Sequence, residues 1–261
     1  MRLAAALVLC GLFVSGARAV ELKPETVQAF DRYIRDTEAR LEQRLRPAGN
    51  FLWVDEEPRR VAQVRQGQLA IENRGGRDTI AVPGGLIHDW IGAIFIPEVT
   101  LGKTLALIQD YDHNQDNYQP EVLASRLVHR HGNDFKVHLR LMKKKVITVI
   151  LDTDYDVRYF PLDGGRCHSR AYSTRIAEVE NAGKPNERIL PPGQDNGFLW
   201  RLYSYWRFQE RDGGVYVECE AISLTRAIPA GLGWLIQPII TTLPRESLAN
   251  TLRETRAALG K

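Results

Sequence analysis

The stretch that most constrains this chain is its C-terminal end, from Pro229 to Leu259. Leu248, Leu252, Thr255 and Leu259 follow one another at steps of four, three and four, which places them on one face of an α-helix. Arg245, Glu246, Asn250, Arg253, Glu254 and Arg256 fill the opposite face and predict a side turned to water. Upstream, Trp234, Leu235, Ile236, Ile239, Ile240 and Leu243 are too apolar for an exposed loop. Pro244 either opens this final helix or interrupts a longer one, because proline suits a first turn and not an interior. Between Leu86 and Arg226 the pattern is alternating rather than helical, the mark of strands. A sheet that carries one long apolar helix must bury it on a face. What lies between the two decides what the protein does.

The 261 residues are 44% hydrophobic and 26% charged, a globular composition. Residues 1–19 read as a secretory signal peptide: Arg2 is the positive start, Leu3 to Val14 the apolar run, and Ala17-Arg18-Ala19 the cleavage site. The run is too short for a permanent span. The expected location is therefore periplasmic or extracellular. Cys10 could suggest lipidation, but Leu9 before it is bulky where lipid attachment wants a small residue. Losing Arg2 and Arg18 lowers the formal net charge from +3 to +1, so no nucleic-acid electrostatics follow. Cys167 and Cys219 survive; export permits a disulfide, but two positions do not show one.

Along the rest of the chain, Pro24 to Arg46 reads as an amphipathic helix with Val27, Phe30, Ile34, Leu41 and Leu45 on one side, ended by Pro47-Ala48-Gly49. It either docks on the main domain or packs on a partner. Residues 51–82 are irregular, with one expected hairpin from Ala62 and Val64 through Gln66-Gly67 to Leu69 and Ile71. The expected division is a leader at 1–19, an N-terminal helix and extension at 20–85, and a main domain at 86–261. In that domain Leu86 to Ile96 is a first strand. Thr100 caps a helix bearing Leu101, Leu105 and Ile108, and Tyr118 to Leu123 is a short second helix. Strands then follow over 125–131, 134–144, 146–160, 167–180, 198–210 and 215–226, with Asp212-Gly213-Gly214 as a hairpin turn.

This order, together with the phrases DYDHNQDNYQPEVLASRLV, VYVECEAISLTRAIPAGLGWLI and PRESLANTLRETRAAL, resembles the START-like superfamily of polyketide cyclases and dehydratases and lipid-transfer domains. The likeness runs from about Leu86 to Leu259. It implies an α+β helix-grip fold. In that fold a curved antiparallel sheet of about seven strands surrounds a long C-terminal helix, two short helices follow the first strand, and an apolar cavity lies between. No invariant catalytic motif defines that superfamily, so the fold transfers better than the chemistry.

Alternation sorts the side chains. Phe198, Trp200, Leu202, Ser204, Trp206 and Phe208 point one way, and Arg201, Tyr203, Tyr205, Arg207 and Gln209 the other. The apolar set must look inward. Phe135, Val137, Leu139 and Leu141 form a second inward row. Ile147, Val149, Leu151, Thr153, Tyr155 and Val157 form a third, and Val217, Cys219, Ala221 and Ser223 a fourth. Singly each is ordinary core. Together, with Ile236, Ile240 and Leu243 facing them, they predict a lipid-sized pocket. The candidate ligand-binding residues are Leu139, Tyr155, Trp200, Ser204, Trp206, Cys219, Ile236, Ile240 and Leu243, with no cofactor, no metal and no catalytic residue assigned.

Other signals are weaker. Asp110, Asp112, Asn114, Asp116 and Glu121 match calcium-loop spacing, but position six is Gln115 rather than glycine, which leaves a solvated loop. His129 and His131 share a strand face without a third ligand. Lys143-Lys144-Lys145 near Arg140 is either a solvated strand end or a contact for anionic headgroups. Three functions follow. The first is an exported protein that binds or transfers a hydrophobic small molecule or lipid, with peripheral membrane contact. The second is a cyclase-type or dehydratase-type enzyme, for which Tyr155 and Arg175 are the titratable inward candidates. The third is an envelope interaction module, which requires an exposed apolar stripe on the helix at 24–46.

Overall fold

The computed structural model describes residues 22–145, 147–227 and 233–260, with side chains in the last stretch from Thr242 onward. The leader expected at 1–19, with Cys10, and the turn over 229–232 lie outside the described residues. Helix α1 (Pro24–Gln43) is followed by a 3-10 turn, Trp53–Glu56, and α2 (Pro58–Arg65). Then come β1 (Ala70–Asn73), β2 (Ile80–Val82), β3 (Gly85–Pro97), α3 (Leu101–Ile108), the 3-10 turn Tyr111–His113 and α4 (Asn114–Asn117). The chain closes with β4 (Val122–His131), β5 (Asp134–Lys144), β6 (Thr148–Pro161), β7 (Arg166–Glu180), β8 (Arg188–Ile189), β9 (Arg201–Arg211), β10 (Gly214–Arg226) and α5 (Gly233–Leu259).

The strands form one antiparallel sheet in the order β1-β3-β10-β9-β7-β6-β5-β4, with β2 on β3 and β8 on β7. The first long strand thus pairs with the last, and α5 crosses the face between them. This is the helix-grip arrangement, and seven long strands carry it. The other three are short: β1 and β2 come from the extension before residue 85, and β8 has two residues.

Local chemistry explains most boundaries. Thr100 accepts a hydrogen bond from the Lys103 N–H and so caps α3. The β9–β10 turn places Asp212 and Gly213 at φ 57° and 77°, the left-handed pair such a hairpin needs. Helix α5 runs through Pro244, so the longer-helix alternative holds. Leu248, Leu252, Thr255 and Leu259 are all buried against the sheet, as their spacing predicts.

Two local expectations are overturned. The hairpin over 62–71 is instead α2 followed by β1: Pro58 starts the helix and Gly67, at φ 78°, follows its end. Val61 and Val64, three apart, supply its buried side, and the period-two reading of Ala62 and Val64 missed that. The helix over 118–123 is displaced to 114–117, since Pro120 cannot continue a helix and disfavours helical backbone at Gln119. Leu123 belongs to β4.

The face of the sheet away from α5 is also covered. Helix α1 sets Phe30, Ile34 and Leu41 against Ile87, Ile222, Leu224 and Tyr205, and each such side chain contributes about 2 kcal/mol by leaving water. The stripe needed for an interaction module is therefore consumed inside the molecule. The segment 51–54, α2 and β1 close the rest of that face against Ile91, Ala93, Phe95 and Tyr216.

Charged groups fill the gaps in this outer layer. Arg44 binds Glu218 at 2.7 Å and donates to the Phe51 carbonyl at 3.0 Å, while the Trp53 N–H donates to the same carboxylate. Arg207, predicted to point outward, donates to the Leu41 and Phe51 carbonyls at 2.7 and 3.0 Å. Arg40 pairs with Glu220, and the Tyr33 hydroxyl donates to Asp89 at 2.7 Å.

Candidate functional site

Between the concave face of the sheet and α5 lies a cavity of about 520 Å³, the size of a small-molecule site. Its walls follow the alternation of the strands. Val137, Leu139 and Leu141 come from β5, and Leu151, Tyr155 and Val157 from β6. Leu202, Ser204 and Trp206 come from β9, and Cys219, Ala221 and Ser223 from β10. Leu243, Pro244, Ser247, Leu248 and Thr251 close it from the helix. Across three adjacent strands Ala171, Ser204 and Ala221 are in register, so small side chains meet at one level and leave room above them. Phe135, Val217 and Phe208 lie further along the same rows and form solid core instead.

Of the nine predicted ligand-binding residues, Leu139, Tyr155, Ser204, Trp206, Cys219 and Leu243 line this cavity. The side chains of Ile236 and Ile240 lie outside the described residues. Trp200 is a correction. It packs on the opposite face with Phe30, Ile34 and Tyr205. Regular β9 pairing begins at Arg201, so Trp200 precedes the alternation used to place it, and the turn at Gly197 (φ 69°) resets its direction.

Arg175 is a second correction. The register shifts between Asp154 and Tyr155, so a bulge in β7 turns Arg175 outward, where it pairs with Asp154 at 3.3 Å. Tyr155 stays inside, but burial pushes its hydroxyl up to about 12. Cys219 is likewise raised well above its ordinary value by burial. Cys167 and Cys219 are both free and buried. Burial thus keeps Tyr155 and Cys219 protonated at ordinary pH.

Charge gathers at the edge of the cavity. Glu121 bonds Lys143, Ser247 and Asn250, tying α5 to β5. Burial opposes ionisation of Glu121, but the Lys143 ammonium and the donated hydrogen bonds outweigh it and hold the carboxyl below its usual value. Lys145 pairs with Glu246, and Arg140 with Asp152 and Glu187. The basic cluster seen in the sequence is thus largely neutralised by local acids. Near the end of β10, Thr225 lines the cavity and bonds His88 at 3.1 Å. His88 lies behind it, and burial holds its imidazole down to about 4.

The loop before β9 supplies Asn196, Phe198 and Leu199 to the wall. It is held by Glu178, whose carboxylate accepts from the Asn196 and Phe198 N–H groups and the Asn196 amide. Sequence reasoning set Phe198 on the inward face and weighed Glu121 and Lys143 separately, but it did not foresee Asn196 and Leu199 in the wall or the pairing of Glu121 with Lys143. Glu178 gave a signal, as a carboxylate set among the apolar residues of a strand. The acidic run 110–121 scatters: Asp110 meets His113, and Asp112 accepts from the Leu127 N–H. No cluster of metal-ligand type occurs among the described residues.

No family model matches the chain, and no curated protein matches it. Solved structures do. A STAR-related lipid transfer protein from Xanthomonas axonopodis is 16% identical, with 74% of this chain and 99% of that one covered at a TM-score of 0.47. A protein from Thermus thermophilus is 14% identical, covering 65% and 94%, also at 0.47. The Zhui aromatase/cyclase from Streptomyces sp. R1128 is 9% identical, covering 66% and 93%, again at 0.47. These are likenesses of fold and say nothing of ligand. On its own strand order, helix placement and cavity, the chain is START-like in architecture.

Proposed function

We propose that this protein binds a hydrophobic small molecule or lipid between the sheet and α5, and that it does so as an exported carrier. The observation that supports this most is the cavity itself: about 520 Å³, walled largely by apolar side chains from the concave face of the sheet and from α5. Water in such a space finds few partners. A ligand that displaces it gains roughly 25 cal/mol for each Å² of apolar surface buried, less the cost of immobilising it. The leader-like sequence at 1–19 supports export. Peripheral contact with a membrane is the route by which such a ligand would enter.

An enzyme on the same fold needs an acid or base in contact with the ligand. Tyr155 and Cys219 are held protonated and so offer no base, Glu121 at the cavity edge is engaged by Lys143, Ser247 and Asn250, and His88 sits behind Thr225 rather than on the wall. Binding is therefore the reading this geometry favours. The test is native mass spectrometry of the protein purified from a secreting host, followed by organic extraction. A reproducible co-purifying lipid or polyketide, on a chain shortened by 19 residues, is the expected result. A protein that emerges empty and resists loading with lipid overturns the carrier reading, and an unshortened chain overturns export.

A further inference from the structure

The charges around the cavity are not equivalent. Lys143 and Lys145 each have a carboxylate, from Glu121 and Glu246. Arg226, the last residue of β10, also lines the cavity, and no carboxylate pairs with it among the described residues. It is nevertheless held in place. Its N–H donates to the Gly197 carbonyl at 2.9 Å. Its stem lies so close over Gly197 that a Cβ there would come within 2.8 Å of the Arg226 Cβ and 3.1 Å of its Cδ. The carboxylate of that loop, Asp195, is turned to the Gly197 N–H and the Trp200 indole. Glu254, the other cavity-lining charge without an ion pair among the described residues, lies two helical turns past Ser247, on the helix face that holds Glu121.

Toward Arg226 the inward row of β10 becomes polar, from Cys219 and Ala221 to Ser223 and Thr225, while Leu202 beside Ser223 and Phe198 of the neighbouring loop stay apolar. The Ser204 and Ser223 hydroxyls bond no other side chain or backbone group among the described residues. Such a gradient suits a molecule with one apolar and one polar end. A guanidinium with no carboxylate partner among the described residues, at the polar end, suits an anion, because planar, bidentate pairing with a carboxylate or phosphate is what arginine does best.

We propose that the ligand is an amphiphile with an anionic head, a carboxylate or a phosphate, and that Arg226 receives this head while the apolar tail fills the cavity. The proposal rests on the binding function above and names its ligand class. Its test is calorimetric titration of the full chain with palmitate, with hexadecanol and with palmitoyl lysophosphatidate. At least one anionic probe should bind tenfold or more tighter than hexadecanol, and the stronger of the two identifies the head group. Arg226→Gln should erase the preference by weakening the anionic probes tenfold or more relative to hexadecanol, while Arg226→Lys should retain most of it. Equal binding of acid and alcohol by the unaltered protein overturns the head-group assignment and leaves the carrier function standing, as does a preference that survives Arg226→Gln. Failure of all three probes overturns both.

Discussion

The two faces of this sheet are built from alternate residues of the same strands, yet they end in opposite states. On β10, Cys219, Ala221 and Ser223 face an open cavity, while Glu218, Glu220 and Ile222 between them are sealed under the N-terminal layer. On β9, Ser204 and Trp206 face the cavity, while Tyr205 and Arg207 are buried on the other side. The closed face is the more polar one. Its carboxylates and arginines reach each other and the free carbonyls of residues 41–51, so nearly every charge is met. The open face is mostly apolar and has no such demands. Rigidity has gone where charge must be satisfied, and space where only apolar surface needs covering. This division is why the cavity, and with it the proposed binding, lies on the concave side.

Breaking the closed face should produce the largest effect. Glu218→Ala removes the partner of a buried arginine and of the Trp53 N–H. The expected loss is about 3–5 kcal/mol of unfolding free energy, since an orphaned buried charge keeps its full desolvation cost. Urea denaturation measures it. A loss below about 1 kcal/mol would mean that water satisfies Arg44 and that the two faces are less different than they look.

The same face should also carry the pH dependence. Asp89 is buried, accepts from Tyr33 and faces Glu220, which pairs with Arg40. Burial first, then the Glu220 carboxylate, raises its pKa from 3.8 to about 8. The unfolded chain gives up this proton near 3.8 while the folded chain keeps it, so stability should fall as pH rises from there to about 8. Asp89→Asn keeps a partner for Tyr33 and removes the charge. It should flatten that slope and raise stability at pH 8 by a few kcal/mol, with about 6 kcal/mol as the upper bound at 1.36 kcal/mol per pKa unit. An unchanged pH profile of thermal unfolding would show that Asp89 ionises normally.

The open face should be the least sensitive in stability. Ser204→Leu places a larger apolar side chain in empty space, so unfolding free energy should change by less than about 1 kcal/mol. Its binding of a long-chain probe should nonetheless fall at least tenfold, because the new side chain takes up room the ligand needs. If the substitution instead destabilises the fold by several kcal/mol, that level of the cavity is filled core.

Legibility in the sequence followed the same division. The inward rows of β5, β6 and β10 could be read residue by residue, because period-two alternation survives wherever pairing is regular. Trp200 and Arg175 were misplaced because one precedes the regular pairing of its strand and the other follows a bulge, and neither break is written in the hydrophobic pattern. Helix α2 was read as a hairpin because eight residues carry too little periodicity to separate period two from period 3.6.

What the sequence determined alone was the order of elements, the buried face of α5, the cap of α3 and most of the inward rows, all of which depend on local periodicity and turn chemistry. The tertiary structure decided the rest. It brought residues 24–82 onto the outer face of the sheet, spread the acidic run 110–121 among separate partners, and left Arg226 without a carboxylate partner among the described residues, beside a largely apolar space. These outcomes join groups as far apart in the chain as Arg40 and Glu220, and Lys143 and Ser247. A local pattern fixes which side of an element is apolar, but long-range packing alone decides which charges find a partner there and which are left for a ligand.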